Sequence, residues 1–449
     1  MKKQLCIAFL LATIFFITGC GEVDNISDVE FHEEIISFAD IDLYGLTLTI
    51  SNPWEFQHLG LFARLYMEAN PGVNIVIDNF GGFPSIYMEQ APVQLMAGVA
   101  NDMLESSGFD HRNPSTQALL VDWFPLMLAD PHFNEDDFFM NVFESASSSG
   151  RLYNLPQFVS FQWVTGNDTV PGVVEMLQQH TTITMNDLLT IHQNAITDTT
   201  FYIHQSHDVY NAVILQLDSF MDFDNRIANF NTPEFIDFIT VARVTTPPNK
   251  QFGWTFGTGV PDQAITQRYL FQRLSSLNFL VASIYEEQMS FSNPVLVANN
   301  SGQLLAEPFS SFLLNGQTSP EIRALAWDFM RFMYDPEIYR QWDLMVPIMP
   351  IYRPLLRHGL ERELQSTFQF ASEWHGLRLT ESPEDVVEWK YAIFNEIGHM
   401  PMVDTIYITR TMVYIFHEVL EQFHNGLITA EQTATYLQNR ISLVLMELG

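Results

Sequence analysis

Residues 46–77 read LTLTISNPWEFQHLGLFARLYMEANPGVNIVI, and this stretch decides the class of fold. Residues 46–50 have the composition of a strand, and the breakers Ser51-Asn52-Pro53 end it. A helix is predicted next and must stop at Asn70-Pro71-Gly72, because proline cannot continue a helix and glycine suits its end. Residues 73–77 are a short apolar run typical of a buried parallel strand. Strand, helix and strand in this order predict a right-handed βαβ unit, and therefore an α/β protein. The apolar positions that give this helix its period are Phe56, Leu59, Ala63, Tyr66 and Met67.

Two later stretches predict helices with well-defined starts. Ser319 can cap a helix, and Pro320 fits its first position, where the missing N–H costs nothing. Thr429 and Gln432 form a capping-box pattern in front of a C-terminal helix. The second half of the chain is therefore expected to be mainly helical. The apolar residues assigned to these two helices are Ile322, Leu325, Ala326, Phe329, Met330 and Met333, and then Tyr436, Leu437, Ile441 and Val444.

The first twenty residues have the order of a lipoprotein export signal. Lys2 and Lys3 precede an apolar run at 5–17, which is shorter than the ~20 residues that cross a bilayer. The run ends in ITGC at 17–20, which resembles a bacterial lipoprotein box with Cys20 as the lipidated residue. An ordinary secretory signal is the alternative. Lipidation of Cys20 and loss of Cys6 with the signal would leave the mature fold without a thiol or a disulfide.

The charge of the chain excludes some partners. The formal net charge is −33, with 53 Asp and Glu against 20 Lys and Arg, and loss of Lys2 and Lys3 makes it −35. Such a chain repels nucleic acid and anionic lipid headgroups. Residues 21–42 hold eight acidic residues and no Lys or Arg, which predicts a solvated tether in front of a fold that begins near Tyr44.

Five stretches in order resemble family 1 extracellular solute-binding proteins, the extracytoplasmic receptors of sugar ABC importers. The first is 46–77; the others are DMLESSGFD at 102–110 with STQALLVDWFPLMLAD at 115–130 and GRLYNLPQ at 150–157, NTPEFIDFI at 231–239, TSPEIRALAWDFMRFMYDPEIYRQW at 318–342, and FHNGLITAEQTATYLQNRISLVLME at 423–447. Together they are spread over most of the chain. The segment 166–301 matches poorly, which leaves the identity of the ligand open.

The resemblance implies an α/β, two-lobed fold of the periplasmic-binding-protein type II. Its lobes are joined by three hinge crossings and close over a ligand. Carried onto this sequence, the crossings fall near Leu155-Pro156, Pro308-Phe309 and Met349-Pro350. The implied organisation is a signal peptide at 1–19, an acidic tether at 20–43, lobe 1 at 44–155 and 309–349, and lobe 2 at 156–308 and 350–449.

Ligands in open α/β sheets sit beyond the carboxyl ends of the strands. This rule selects the loop after the first strand, with Asn52 and Trp54, and the loop after a strand near Met103, with Ser106 and Ser107. Their short hydroxyls and amides can bond sugar hydroxyls, but turn and cap chemistry favours the same residue types.

Aromatic rings are expected against the apolar faces of a sugar. Trp163 and Trp254 lie in or beside predicted loops, and three glycines near Trp254 would let a ligand approach closely, whereas Trp327 falls in the register of a buried helix. Packing in the core is the alternative for each ring. The resemblance adds Asp404 and Tyr407, from GHMPMVDTIYITRTM at 398–412, to the floor of the cleft.

Patterns for catalysis are missing from the sequence. It has no Gly-x-Ser-x-Gly elbow, no phosphate loop with lysine and no His-Glu-x-x-His. We therefore expect no enzyme, no cofactor and no metal. The predicted function is that of a monomeric solute-binding lipoprotein on the outer face of the cell membrane, which captures a mono- or oligosaccharide and delivers it to an ABC permease. The alternatives are a surface receptor that reports a solute to a sensor and, with less support, a glycan-active enzyme whose carboxylate pair the sequence cannot reveal.

Overall fold

A computed structural model describes the chain over ten ranges. They are 42–53, 58–167, 169–195, 209–223, 225–245, 270–275, 291–344, 349–370, 383–404 and 410–447. All of them fall in one unit, 36–449, and the other unit, 1–35, lies outside the described residues. Cys20, Trp54, Trp254 and Tyr407 also lie outside the described residues, and of Asp404 only the backbone is described.

The opening βαβ unit forms as the sequence predicts. Strands β1 (Thr47–Ser51) and β2 (Asn74–Asp78) pair in parallel, each one residue later than expected. Helix α1 (Leu59–Ala69) connects them. The helix ends before Gly72, whose φ of 102° is readily adopted only by glycine. A Cβ atom added at Gly72 would lie 2.3 Å from the Tyr44 ring. The predicted stop of the helix is thus confirmed. The buried residues of α1 are Leu59, Phe62, Ala63 and Tyr66.

Ten of the described strands form one sheet. Its central path runs β2-β1-β3-β10-β4-β9-β5, with β11 and β8 paired to β4 and β12 paired to β10. The parallel strands β1 to β3 form one end, and the long antiparallel strands β4 and β10 join this end to the rest. Beyond β1 and β2 the strands are β3 (Met103–Glu105), β4 (Leu155–Asn167), β5 (Thr182–Ile183), β6 (Met221–Asp222), β7 (Ile227–Ala228), β8 (Phe271–Ser275), β9 (Phe291–Val297), β10 (Leu304–Leu314), β11 (Met349–Pro350) and β12 (Met402–Asp404). Strands β6 and β7 form a separate hairpin.

Helices follow most strands and dominate the second half of the chain, as predicted. Beyond α1 they are α2 (Pro84–Met96), α3 (Pro114–Gln117), α4 (Trp123–Ala129), α5 (Met140–Ala146), α6 (Val173–Leu177), α7 (Met185–Ala195), α8 (Val209–Leu215), α9 (Pro233–Val244), α10 (Pro320–Phe332), α11 (Pro336–Gln341), α12 (Arg353–Phe370), α13 (Pro383–Ile397), α14 (Arg410–His424) and α15 (Ala430–Glu447).

Both predicted helix starts are confirmed. The Ser319 hydroxyl accepts from the Ile322 amide at 3.4 Å. The capping box is complete, because the Thr429 amide donates to the Gln432 side chain at 2.9 Å and the Gln432 amide donates to the Thr429 hydroxyl at 3.3 Å. Within the C-terminal helix, Leu437 and Ile441 are buried, whereas Tyr436 is 44% exposed, since a ring with a hydroxyl keeps one end in water at little cost.

Two sets of buried apolar residues occupy different parts of the chain. The larger cluster takes its members from 164–297, Leu305 and 403–445, and includes residues of β9, α9, α14 and α15. A smaller cluster contains Leu95, Leu104, Leu120, Tyr153 and Leu313. The two clusters share no residue, so the large sheet carries at least two separate cores. In the ranges above, no helix is long and apolar enough to cross a membrane.

Candidate functional site

The carboxyl ends of the three parallel strands lie side by side. Ser51 of β1 is level with Leu104 of β3, so Asn52 and the residues after Glu105 leave the sheet at one edge. The Asn52 amide donates to the Asp78 carbonyl at 2.9 Å at the end of β2. The structure therefore brings the predicted site residues Asn52, Ser106 and Ser107 to the same edge of the sheet. Asn52 is 4% exposed, and the two serines are half-buried.

Glu105 organises this edge, although the sequence did not single it out. Its carboxylate accepts from the Ser107 amide at 3.0 Å and from the Ser107 hydroxyl at 2.9 Å. The Tyr87 hydroxyl donates to the Glu105 carbonyl. Burial and then the nearby charge of Glu105 raise the pKa of Tyr87 well above its usual value, so Tyr87 stays a neutral donor. The loop is thus held in shape by its own chain.

The three predicted crossings lie next to one another in register. Val159 of β4 is flanked by Pro308 of β10 on one side and by Met349 of β11 on the other. Phe158 is flanked in the same way, by Phe309 and by Pro350. The loop at the end of β3 is bonded to this group, because the Ser106 amide donates to the Ser311 carbonyl of β10 at 2.9 Å. Strand ends and crossings therefore form one continuous surface.

One face of the crossing strands is polar and only half-buried. Glu307 pairs with Ser160 and is directly opposite it, so both side chains point to the same face. Strand alternation puts Phe309 and Gln162 on this face as well. All four are partly exposed. The Gln162 Oε1 atom is buried beside this face and has no hydrogen-bond partner among the described residues.

Trp163 points the opposite way. It follows Gln162 in β4, is 2% exposed, and packs edge-on against Phe394 of α13, with the ring centroids 6.4 Å apart. In this conformation the ring belongs to the packed, helix-covered side of the strand. Its predicted contact with a ligand would require the ring to become exposed.

The backbone of Asp404 lies beside the crossings. Strand β12 pairs in parallel with β10, and Asp404 is the partner of Ala306, one residue before Glu307. Its neighbour in the prediction, Tyr407, falls in the undescribed residues 405–409.

No group of three or more His, Cys, Asp and Glu that could hold a metal ion occurs in the described ranges. The site therefore consists of hydroxyls, amides, two glutamates and one phenylalanine ring. Such groups can bond a polyhydroxylated solute through its hydroxyls and cover its apolar face.

The fold is shared with solved solute-binding proteins. A family 1 extracellular solute-binding protein from Alicyclobacillus acidocaldarius matches with a TM-score of 0.57 at 13% identity, over 90% of this chain and 100% of its own. The sugar-binding protein MalE from Xanthomonas citri matches with a TM-score of 0.58 at 13% identity, over 89% and 98%. A periplasmic oligogalacturonide binding protein from Yersinia enterocolitica matches with a TM-score of 0.57 at 13% identity, over 90% and 99%.

These matches confirm the predicted fold class, the α/β fold of two-lobed solute-binding proteins. At this level of identity they define the fold and not the ligand. No protein-family model and no curated protein matches the sequence.

Proposed function

We propose that this chain is the extracytoplasmic solute-binding protein of an ABC importer, and that it captures a mono- or oligosaccharide between two lobes. The observation that carries the proposal is the register of the crossings. Three strand segments, at Val159, Pro308 and Met349, lie side by side directly below the polar ends of β1 and β3. Small dihedral changes in a few such residues are sufficient to close one lobe onto the other.

The two lobes are proposed as 44–155 with 309–349, and 156–308 with 350–449. The smaller core cluster has all its members in the first set, and the larger cluster has all its members in the second set. Each proposed lobe then has a packed core of its own that can move as a body, while contacts such as Phe138–Tyr352 join the two sets.

A carbohydrate suits the surface that the crossings form. Ser160, Gln162 and Glu307 offer a hydroxyl, an amide and a carboxylate on one face, and Phe309 adds a ring. A sugar hydroxyl donating to the Gln162 Oε1 atom would satisfy an acceptor that is otherwise buried without a described partner. Two of the proteins that share the fold are a sugar-binding protein and an oligogalacturonide binding protein.

We propose that the ligand contacts both lobes. The proposed binding residues are Asn52, Trp54, Ser106, Ser107, Trp254, Asp404 and Tyr407, with Trp163 included only if its ring leaves the packed side of β4, and the geometry adds Glu105, Ser160, Gln162, Glu307 and Phe309. We assign no catalytic residue among them.

Membrane attachment is part of the proposal. The ITGC motif supports cleavage before Cys20 and lipidation of its thiol, followed by the acidic tether 20–43. The protein would then be a monomer anchored on the extracytoplasmic face of the cell membrane, where it meets the permease subunits. A secretory signal without lipidation is the alternative.

Two other functions share this geometry. A receptor that passes its signal to a sensor would bind and close in the same way but support no uptake. A glycan-active enzyme would need a pair of carboxyl groups about 5–10 Å apart across a glycosidic bond. Glu105 is opposite Phe312 on β10, five residues from Glu307, which is about 17 Å at ~3.4 Å per residue. These two carboxyl groups are too far apart for such a pair in this conformation, and a turnover test covers any other pair.

A screen of neutral mono- and oligosaccharides by thermal shift tests the proposal. A ligand at 100 times its dissociation constant stabilises the folded state by about 2.7 kcal/mol, which raises the melting temperature by a few degrees. The radius of gyration from X-ray scattering should fall with the same ligand, because the lobes close. Gln162→Leu should weaken the binding, while Glu337→Ala, an exposed change far from the site in sequence and packing, should not.

Overnight incubation of the protein with the saccharide that stabilises it, followed by chromatography of the sugars, distinguishes a binding protein from an enzyme. Product formation would overturn the proposal, and so would stabilisation without a change in the radius of gyration. Loss of uptake on deletion of the gene, with the permease intact, separates a transport receptor from a sensor receptor.

A further inference from the structure

A cavity lies beside the Met349-Pro350 crossing, between segments assigned to lobe 1 and Tyr352, which is assigned to lobe 2. It has a volume of about 550 Å³ and is bordered by α1, the 130–138 segment after α4, the α10–α11 region and Tyr352. It is lined by Ala69 and Asn70, at the end of α1 that leads into β2. This is the amino-terminal edge of the parallel strands, whereas Asn52 and Ser106 lie at their carboxyl edge. The cavity is therefore separate from the proposed sugar site, and its volume is that of a small-molecule site.

Aromatic rings form one wall of this cavity. Tyr352 contacts Phe138 with ring centroids 5.0 Å apart and Tyr334 with centroids 5.9 Å apart, and Phe133 lies 5.3 Å from Phe138. Phe138 and Tyr334 are buried, whereas Phe133 and Tyr352 keep part of their surface exposed. Ring faces are electron-rich and attract a cation placed over them.

Carboxylates outnumber cations in the cavity. Arg331 pairs with Asp328 at 2.6 Å and with the buried Asp130 at 3.5 Å, so its charge is already balanced. Asp137 and Asp335 also line the cavity, and neither forms an ion pair with another described residue. The cavity thus keeps an excess of negative charge next to Tyr352.

The excess of negative charge also affects the pKa of Tyr352. Burial raises the pKa of its hydroxyl, and the charges of Asp137 and Asp335 raise it further, while Arg331 acts in the opposite direction. The two aspartates are therefore close enough to the ring to act on a charge placed there.

We propose that this cavity binds an organic ammonium ion, held against the partly exposed rings of Tyr352 and Phe133 and balanced by Asp137 and Asp335. An anion would be repelled by the same carboxylates. A neutral ligand would gain contact with the rings but nothing from the charge. An ammonium with apolar substituents uses both features, because its spread charge costs less to remove from water than a compact one.

Choline and its neutral isostere 3,3-dimethyl-1-butanol test this, with binding to the purified protein measured by calorimetry. We expect choline to bind and the neutral isostere to bind at least about 10-fold more weakly. Tyr352→Leu and Asp137→Asn should each weaken choline by about 2- to 30-fold. Asp137 is the better site for a change than Asp335, which caps α11 by accepting from the Glu337 amide at 2.9 Å.

Gln162→Leu is the matched control, since it changes the crossing face and leaves this cavity intact. It should not alter the affinity for choline, and Asp137→Asn should not alter the affinity for a sugar, so the two proposals can fail independently. Equal binding of choline and the isostere would overturn the inference, as would no choline binding at millimolar concentration. Loss of choline binding in Gln162→Leu but not in Asp137→Asn would also overturn it, because the cation would then lie in the cleft.

Discussion

The Ser310 hydroxyl donates a 2.8 Å hydrogen bond to the Gln157 Oε1 atom, across the two neighbouring crossing strands β10 and β4. Ser310 has a φ of 51°, in the left-handed region that residues with a Cβ rarely adopt. The ladder between these strands runs from Phe309–Phe158 to Ser311–Pro156 and omits the pair between them. The side-chain bond therefore links the two strands at the point where their regular pairing is interrupted.

This conformation makes Ser310 sensitive to the shape of its side chain. We expect Ser310→Val to lower the free energy of unfolding by about 1–3 kcal/mol, because a β-branched residue is strained at positive φ and the bond to Gln157 is lost. Ser310→Gly should change it by less than about 1 kcal/mol, since the relief of strain offsets the lost bond. Urea unfolding of both variants measures the difference. Equal stability of the two variants would show that the backbone strain is absent in solution.

A buried histidine predicts a dependence of stability on pH. His111 is 6% exposed, and neither ring nitrogen has a partner among the described residues. Burial, and to a lesser extent the charge of Arg112, lower the pKa of His111 from 6.5 to about 3. Between pH 6.5 and about 3, His111 is protonated in the unfolded chain and neutral in the folded chain. The free energy of unfolding therefore decreases as the pH is lowered, by up to about 1.4 kcal/mol per pH unit.

His111→Phe isolates this contribution from that of the carboxylates. Above pH 6.5 the histidine is neutral in both states and contributes no pH dependence. From pH 6.5 downward, the variant should lose stability less steeply than the wild type in denaturant titrations. Parallel curves for the two proteins would contradict the lowered pKa.

Asp130 is expected to matter more than the exposed ion pairs. It is 5% exposed and accepts from the Trp327 Nε1 atom at 2.9 Å and from the His132 amide at 2.9 Å. Asp130→Ala would leave the indole N–H in the core without its acceptor, and should cost about 2–4 kcal/mol of unfolding free energy. The matched control is Glu337→Ala, which breaks an exposed pair with Arg340 and should cost less than about 1 kcal/mol. Similar losses in the two variants would contradict this reading of Asp130.

The two candidate tryptophans should respond differently to truncation. Trp163 is packed against Phe394, so Trp163→Ala should lower the unliganded stability by about 3–5 kcal/mol. Trp254→Ala should weaken sugar binding by about 1–3 kcal/mol and leave the unliganded melting temperature nearly unchanged, if that ring stacks on the ligand as proposed. Thermal melting with and without the sugar measures both effects. A loss of unliganded stability in Trp254→Ala would assign this ring to the core.

Lipidation is tested at Cys20. Cys20→Ser removes the only thiol that the motif offers for acylation, so the protein should be released from the membrane or remain uncleaved. Cys6→Ser is the control, because that residue is predicted to leave with the signal peptide. Phase partitioning in detergent, combined with the mass of the mature chain, measures the outcome. A Cys20→Ser protein that still matures and partitions like wild type would rule out the anchor.

Local patterns in the sequence were sufficient for several parts of the fold. The capping box at Thr429 and Gln432, the helix stop before Gly72 and the parallel βαβ unit depend on residues close together in the chain. The preferences of these residues act over one or two turns, so they can be read without knowing the rest of the molecule. The edge shared by Asn52 and Ser106 was also predictable, because parallel strands end on the same side.

Tertiary structure alone decided which face of the crossing strand is open and which is covered. Adjacent residues of a strand point to opposite faces, and sequence cannot tell which face the helices cover. Packing of α13 against β4 buries Trp163 and leaves Gln162 on the open face. The ion pair of Arg331 with Asp130, 201 positions apart, is equally invisible in the sequence. Such contacts form only after distant segments have packed. Packing excludes water, and the lower local dielectric then strengthens each ion pair and hydrogen bond.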